Sequence, residues 1–243
     1  MIADRKPEFF YGYVIVLVAF FIMVVALGTH YSYGVFFESL LMEFGWTRAI
    51  TSGAYSLSLI LYGILVIGGG RLNDRFGPRL LLSGGGFLLG LGYLLMSQVN
   101  ALWQLYLFFG VIMGIGLSTS YVPVLSTVAR WFVKRRGLMT GIVMGGIGAG
   151  TMIMPLFLNW LISSYGWRTS FFIVGIISLV SIIVLAQFLR GNPQNRGQLP
   201  DGASEVKREG SYITAIGLSF REAAHTRQLW LFWGVMLSLG FAF

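Results

Sequence analysis

The feature that most constrains this chain is a series of apolar runs, each roughly 20 residues long, that contain no acidic residue, lysine or arginine. Only 11% of the residues are charged and 56% are hydrophobic, whereas a soluble domain is about 25% charged. A soluble all-helical protein with a large core does not explain uncharged runs of this length. The sequence therefore predicts an all-α integral membrane protein that uses the lipid bilayer as its solvent.

The apolar runs predict six transmembrane helices. They cover about residues 11–37, 49–69, 80–97, 103–129, 138–162 and 169–189. Residues 191–228 are hydrophilic, and Ser219 to Glu222 has the spacing of a capping box, which predicts a short surface helix. A last apolar run covers only residues 229–243 and is too short to cross a bilayer. We therefore expect an N-terminal six-helix bundle at 1–190, a central cytoplasmic loop at 191–228, and the truncated start of a seventh helix, with the second half of the protein missing from this chain.

The basic residues predict the orientation. Of the 17 lysines and arginines, 15 lie in one set of predicted loops, and the other set holds only Arg48 and Arg168. The positive-inside rule places the larger set, and with it the N-terminus, in the cytoplasm. The expected location is the cell membrane, with multiple passes. Topology also explains the net charge of +8, so no nucleic-acid partner is expected.

The sequence contains no recognisable catalytic motif. It has no cysteine, no Walker lysine loop, no Ser-His-Asp arrangement and no metal-ligand spacing. We therefore expect no enzyme activity, no metal and no cofactor. Glycine-rich runs at 84–86 and 145–150 lie inside apolar spans and do not follow a strand, so they are not nucleotide loops. They predict close helix packing or a flexible wall beside a substrate path, and the two are compatible.

Residues 70–79 place four charges and a Gly-Pro turn between the second and third predicted spans. They match Gly-x-Leu-x-Asp-Arg-x-Gly-x-Arg through Gly70, Leu72, Asp74, Arg75, Gly77 and Arg79. This resembles the signature between the second and third helices of the major facilitator superfamily. The resemblance implies a bundle of two three-helix repeats that forms one half of an alternating-access transporter. It also implies that Asp74 binds the second bundle at the cytoplasmic side. Arg75 and Arg79 would then set the local electrostatic potential.

A second stretch narrows the resemblance. Residues 131–142, which include Lys134, Arg135 and Arg136, resemble the loop-and-fifth-helix motif of monocarboxylate porters, Tyr-Phe-x-Lys-Arg-Arg-x-Leu-Ala-x-Gly-Ile. Trp131 replaces its tyrosine and Met139 its alanine. Residues 32–37 also resemble the end of that family's first helix. The similarity to monocarboxylate and oxalate–formate carriers implies a small organic anion as substrate and a proton or a counter-anion as its coupled partner.

Five residues are candidates for substrate binding or proton coupling. His30 and Tyr31 lie where porters of that family often carry a lysine. His30 is, tyrosines aside, the one ionisable acid–base group within the six predicted spans. Such a residue suggests function, and the alternative is a histidine near the outer interface that bonds to a neighbour's backbone. In the fourth span Tyr121 is favoured over Ser118 and Thr119, because small hydroxyls usually bond to their own helix.

Other functions are left open by the sequence. A carrier of a sugar, drug or other metabolite would have the same fold, although drug–proton antiporters usually carry an arginine in the fourth helix and residues 103–129 contain none. A membrane sensor that has lost transport is a further alternative. In the resembling family an arginine and an aspartate of the eighth helix hold the anion, and those positions lie beyond Phe243.

Overall fold

A computed structural model describes residues 10–196, 198–202, 226 and 230–231. The chain separates into two compact units, Met1–Glu205 and Val206–Phe243. In the second unit, Trp230 and Leu231 are helical. The surface helix expected near Ser219 and most of the expected seventh span lie outside the described residues. The three-part division of the chain stays a prediction.

Four long helices make up the first unit. They are α1 (Gly12–Phe44), α2 (Arg48–Met96), α3 (Leu102–Trp131) and α4 (Arg136–Phe188), and each is long and apolar enough to cross a membrane. Short 3₁₀ turns follow at Pro193–Arg196 and Pro200–Gly202. No strand occurs among the described residues. The expected all-α membrane architecture is therefore confirmed.

Two of these helices are far longer than a bilayer needs. α2 has 49 residues and α4 has 53, or roughly 74 and 80 Å at 1.5 Å per residue, against a hydrocarbon core of about 30 Å. Each contains one non-helical residue, Gly77 (φ 78°, ψ 160°) in α2 and Gly166 (φ 76°, ψ 161°) in α4. A positive φ favours glycine, which has no Cβ to clash with the backbone.

The chain reverses direction at Gly77. The first part of α2 approaches α3 where Ser58 meets Gly114, and the second part approaches α3 where Gly85 meets Gly116. Both parts of α2 thus pack on the same short stretch of α3. This arrangement is possible only when α2 folds back on itself at the glycine.

The turn at residues 70–79 is narrower than the sequence suggested. The helix continues through Phe76, and only Gly77 leaves the helical conformation. The sequence placed the end of the second span at Gly69. The helix in fact continues for seven more residues, to Phe76. The polar residues that follow are compatible with a helix that extends beyond the apolar layer, and Pro78 is well suited to begin the next helix because its φ is already fixed.

Close glycine contacts join α1 to the first part of α4. A Cβ built on Gly28 would lie 2.7 Å from the Cα of Gly150, and a Cβ on Gly146 would lie 2.6 Å from the carbonyl oxygen of Phe20. Only glycine permits such an approach between two backbones. In contrast, a Cβ on Gly145 would meet no described atom within 4 Å. One face of α4 is therefore closely packed and another is open.

Large apolar side chains cover the outside of the helices. Examples with more than half of their surface exposed are Ile64, Ile67, Met152, Leu156 and Leu80. A soluble protein does not expose an apolar surface of this extent. The core instead lies along α1, where Ile15, Ala19 and Ile22 have no exposed surface.

Candidate functional site

His30 is enclosed between α1, α2 and α3. Its side chain has no exposed surface, and its ring centroid lies 5.3 Å from that of Tyr55 and 5.2 Å from that of Phe109. His30 Nε2 is 2.9 Å from Ser58 Oγ, and Ser58 Oγ lies 2.8 Å from the carbonyl oxygen of Tyr55. His30 Nε2 and Ser58 Oγ therefore share a hydrogen bond, and the histidine tautomer determines which of the two donates.

The two ring nitrogens of His30 differ in their surroundings. Nδ1 is buried and has no hydrogen-bond partner among the described residues. In the neutral ring with Nε2 protonated, Nδ1 carries a lone pair. The sequence left open a bond from His30 to a neighbour's backbone, whereas the structure gives a bond to a side chain. The role of His30 in coupling stays a prediction.

Two π-helical stretches meet at His30. One covers Val24–Gly28, directly before Thr29 and His30, and the other covers Tyr106–Met113, which contains Phe109. Stretches of π-helix are uncommon and often occur at functional sites. Apolar runs such as these give no sequence signal for π-helix, so sequence reasoning missed both stretches.

Tyrosines from three helices gather beside this site. Tyr31 is 41% exposed, while Tyr55, Tyr62 and Tyr121 are half-buried. The hydroxyl groups of Tyr31, Tyr62 and Tyr121 are near enough to interact electrostatically. Tyr55 and Tyr62 were missed in the sequence, although their spacing of seven residues places them on one face of α2. We call Tyr31, Tyr62 and Tyr121 the tyrosine cluster.

Ser118 and Thr119 use their hydroxyl groups within their own helix. Ser118 Oγ donates to the carbonyl oxygen of Ile115 at 2.7 Å, and Thr119 Oγ1 donates to that of Gly116 at 2.8 Å. Thr119 also lies directly against Gly85 of α2. Their predicted contact with a substrate stays a prediction.

The charged residues of the 70–79 motif join the helices at one end of the bundle. Arg130 donates to the carboxylate of Asp74 at 2.7 Å, which joins α3 to the first part of α2. Arg79 Nε donates to the carbonyl oxygen of Leu189 at 2.8 Å, just after α4. Arg75 lies over the ring of Phe76. The sequence did not assign Arg130 as the partner of Asp74. Binding of Asp74 to a second helix bundle remains a prediction.

The glycines of this motif differ in their surroundings. Gly77 makes the turn, as its positive φ shows. A Cβ on Gly70 would meet no described atom within 4 Å.

The 131–136 loop is fastened by residues that follow α4. Asp201 Oδ2 accepts from the backbone N–H groups of Val133 at 3.0 Å and Lys134 at 2.8 Å. Trp131 Nε1 donates to the carbonyl oxygen of Arg190 at 2.7 Å. Arg135 reaches the hydroxyl group of Tyr13 at 3.5 Å. These bonds fix the loop between the end of α3 and the start of α4.

A cleft of about 280 Å³ opens between α3 and the start of α4. It is lined by Tyr121, Val122, Leu125, Ser126, Ala129, Arg136 and Thr140. The cleft therefore combines a cation, three hydroxyl groups and an apolar wall. It connects the end of the 131–136 loop with the tyrosine cluster through Tyr121.

An ion pair fastens the opposite end of the bundle. Arg168 donates to Glu43 at 2.8 Å, to the carbonyl oxygen of Ser97 at 3.1 Å and to Asn100 Oδ1 at 3.2 Å. Trp167 Nε1 donates to the second carboxylate oxygen of Glu43 at 2.6 Å. We call this group the outer clasp. It joins the end of α1, the end of α2 and the second part of α4.

The described part of the chain thus has apolar membrane-length helices that enclose a histidine and several tyrosines and are joined by ion pairs at both ends. These features define an integral membrane protein that encloses ionisable and polar side chains among its helices. The family model of the Major Facilitator Superfamily matches residues 10–243. The chain therefore belongs to the major facilitator superfamily, and the resemblance seen in the 70–79 motif is confirmed.

Several relatives are named after the anions they carry. The chain is 32% identical to monocarboxylate transporter 13 of Bos taurus over 72% of its length and 41% of the relative. It is 32% identical to human monocarboxylate transporter 14 over 82% of its length and 39% of the relative. It is 26% identical to the oxalate:formate antiporter of Oxalobacter formigenes over 93% of its length and 51% of the relative. The chain thus spans about half the length of these relatives or less.

Proposed function

We propose that this chain forms one half of a secondary active transporter that moves small organic anions across the cell membrane by alternating access. The observation that carries the proposal is the similarity to monocarboxylate transporters and to an oxalate:formate antiporter. Because these relatives are about twice as long, a second half of similar size supplies the opposite wall. Coupling is to a proton or to a counter-anion.

The proposed half contains six spans in two three-helix repeats. The breaks at Gly77 and Gly166 divide α2 and α4 into two spans each. The two repeats cover residues 12–96 and 102–188. Each begins with one span that contains a π-helical stretch, and two further spans follow that are joined at a glycine with positive φ. The near-identical backbone angles at the two glycines support this internal symmetry, which is common in transporters.

The proposed orientation places the N-terminus in the cytoplasm. The basic residues support it, because Arg79, Arg130 and the 131–136 loop fall at the end of the bundle that carries most of the positive charge. Arg168 of the outer clasp then faces the outside. The Asp74–Arg130 pair lies on the cytoplasmic side, where it is placed to act in the opening and closing of the carrier.

The tyrosine cluster is the proposed wall of the substrate path. Phenol hydroxyls donate hydrogen bonds to a carboxylate without adding a fixed charge. Tyr31 is the most exposed member of the cluster, so it is placed to meet a substrate first. His30 lies directly behind Tyr31, with ring centroids 6.1 Å apart, and is the proposed group for proton coupling.

Uptake by the full-length transporter in proteoliposomes tests this proposal. Labelled lactate, pyruvate, formate and oxalate are offered separately, with protein-free liposomes as the control. We expect saturable uptake or exchange of at least one of the four anions. Failure of all four would reject the proposed substrate class, and uptake of labelled glucose in their place would assign the carrier to another class.

A further inference from the structure

We propose that the cleft between α3 and α4 is a separate cytoplasmic subsite for a small carboxylate with a short apolar tail, held by Arg136, Thr140 and Tyr121. The inference rests on the proposed function and adds a second binding position to it. The subsite lies between the cytoplasmic ends of the helices and the tyrosine cluster.

The spacing of the lining residues shows that the cleft is built from two continuous helix faces. Tyr121, Val122, Leu125, Ser126 and Ala129 follow the pattern i, i+1, i+4, i+5, i+8 on α3. Arg136 and Thr140 are four residues apart on α4. Eight residues separate Tyr121 from Ala129, so the cleft runs about 12 Å along the helix.

Three hydrogen-bond donors in the cleft have no recorded partner. Within the described ranges, no hydrogen bond or ion pair is found for the side chains of Arg136, Thr140 or Tyr121. Two neighbouring arginines do have partners: Arg130 is paired with Asp74, and Arg135 contacts the hydroxyl group of Tyr13. Arg136 is exposed and lines the cleft, so its guanidinium is accessible to a ligand there.

Ser126 is not a donor to the ligand. Its hydroxyl group donates to the carbonyl oxygen of Pro123 at 3.1 Å and accepts from Asn73 Nδ2 at 3.0 Å. These bonds join the cleft wall to α2. Ser126 therefore stabilises the shape of the cleft, and the charged end of the ligand is left to Arg136 and Thr140.

The chemistry of the lining selects the class of ligand. A guanidinium binds a carboxylate through charge-assisted hydrogen bonds, and the hydroxyl of Thr140 lies one helical turn from it. Val122, Leu125 and Ala129 form an apolar wall that suits a short alkyl chain. The volume of about 280 Å³ is below the range typical of drug-sized ligands, about 300–1,000 Å³. A monocarboxylate such as lactate fits these properties better than oxalate, which has no apolar part.

Cysteine labelling tests occupancy of the cleft directly. The described chain contains no cysteine, so Ala129→Cys in an otherwise cysteine-free full-length transporter places one thiol in the cleft wall. Labelling by a maleimide is measured with and without saturating lactate in vesicles of phosphatidylcholine alone. It is measured again without lactate in vesicles that also contain the anionic lipid phosphatidylglycerol. Arg71→Cys is the matched control, because Arg71 is exposed on α2 and does not line the cleft. Lactate uptake is measured on the same preparations.

We expect lactate to slow the labelling of Ala129→Cys about fivefold or more and to leave Arg71→Cys within twofold. Adding Arg136→Gln should abolish the protection, because the lost charge-assisted bonds are worth a tenfold or greater change in affinity. Arg136→Lys, which keeps the charge, should retain part of it. Oxalate should protect less than lactate.

Different failures have different meanings. Lactate uptake without protection of Ala129→Cys, or protection that persists in Arg136→Gln, would overturn the subsite and leave the proposed function intact. A thiol that never reacts would mean that a helix of the second half fills the cleft, and protection by anionic phospholipid alone would mean that a lipid headgroup fills it. Either result would overturn the subsite. Absence of both uptake and protection would overturn the proposed function and the subsite together.

Discussion

The contact between Gly28 and Gly150 predicts that Gly150→Ala destabilises the bundle. A Cβ at position 150 would lie 2.7 Å from the carbonyl oxygen of Val24 and 2.9 Å from the Cα of Gly28, whereas ordinary contact begins at 3.4 Å. The shortfall at the oxygen is 0.7 Å. Both neighbours are backbone atoms, so no side chain can turn away to make room. α1 must therefore move away from α4.

The expected cost follows from two opposing effects. Overpacking of a close contact costs about 1–3 kcal/mol, and exchange of a helical glycine for alanine returns about 1 kcal/mol of helix propensity. A net loss of up to about 2 kcal/mol is expected. For a chain of this length that corresponds to a decrease in Tm of up to about 8 °C.

The measurement is the thermal unfolding of the purified 243-residue chain in detergent. Gly145→Ala is the matched control, because it lies on the same helix and a Cβ there would meet no described atom within 4 Å. The control should keep or raise Tm. If Gly150→Ala is as stable as Gly145→Ala, the close packing of α1 on α4 is wrong.

Three further predictions concern the charged and titratable residues. Asp74→Asn should lower turnover more than apparent substrate affinity, which transport kinetics of the full-length carrier would measure. Tm should change little, because the side chain of Asp74 is 71% exposed and exposed ion pairs contribute about 0–1 kcal/mol. His30→Ala should flatten the pH dependence of uptake, measured between pH 4 and 8, because His30 is the proposed group for proton coupling. Arg168→Lys should remove hydrogen bonds from the outer clasp, because lysine lacks the planar guanidinium that reaches several acceptors at once. The expected loss of stability at this partly exposed site is about 1 kcal/mol, which corresponds to a decrease in Tm of about 2–4 °C.

Each of these predictions has a contradicting result. A weaker affinity with normal turnover in Asp74→Asn would place the motif in the binding site. An unchanged pH profile in His30→Ala would remove this residue from the coupling mechanism. An unchanged Tm in Arg168→Lys would show that the outer clasp contributes no stability.

Local sequence identified the helices but not their ends. Uncharged apolar runs are a sufficient signal for membrane-length helices, and the expected breaks near Gly77 and Gly166 were visible as Gly-Pro and Gly-Trp elements. The helix nevertheless continues from Gly69 to Phe76, since hydropathy marks the apolar layer and helices extend beyond it. Neither π-helical stretch was visible, because π-helix depends on tertiary packing and not on composition.

The candidate site could be predicted only in part. His30 was recognisable because an ionisable residue is rare within apolar runs, but its partner Ser58 lies 28 residues away on another helix. Arg130 lies 56 residues from Asp74, and no local pattern connects them. The cleft beside Arg136 likewise depends on which faces of α3 and α4 meet, and that is set by packing.

Counterflow measures the central claim, alternating-access transport of a small organic anion, most directly. Proteoliposomes that contain the full-length transporter are loaded with unlabelled lactate and diluted into a trace of labelled lactate. A carrier that exposes its site to one side at a time predicts a transient accumulation of label above equilibrium, which empty liposomes do not show. Label that enters without an overshoot at saturating internal lactate would indicate a channel, and no entry of lactate, pyruvate, formate or oxalate would contradict the account.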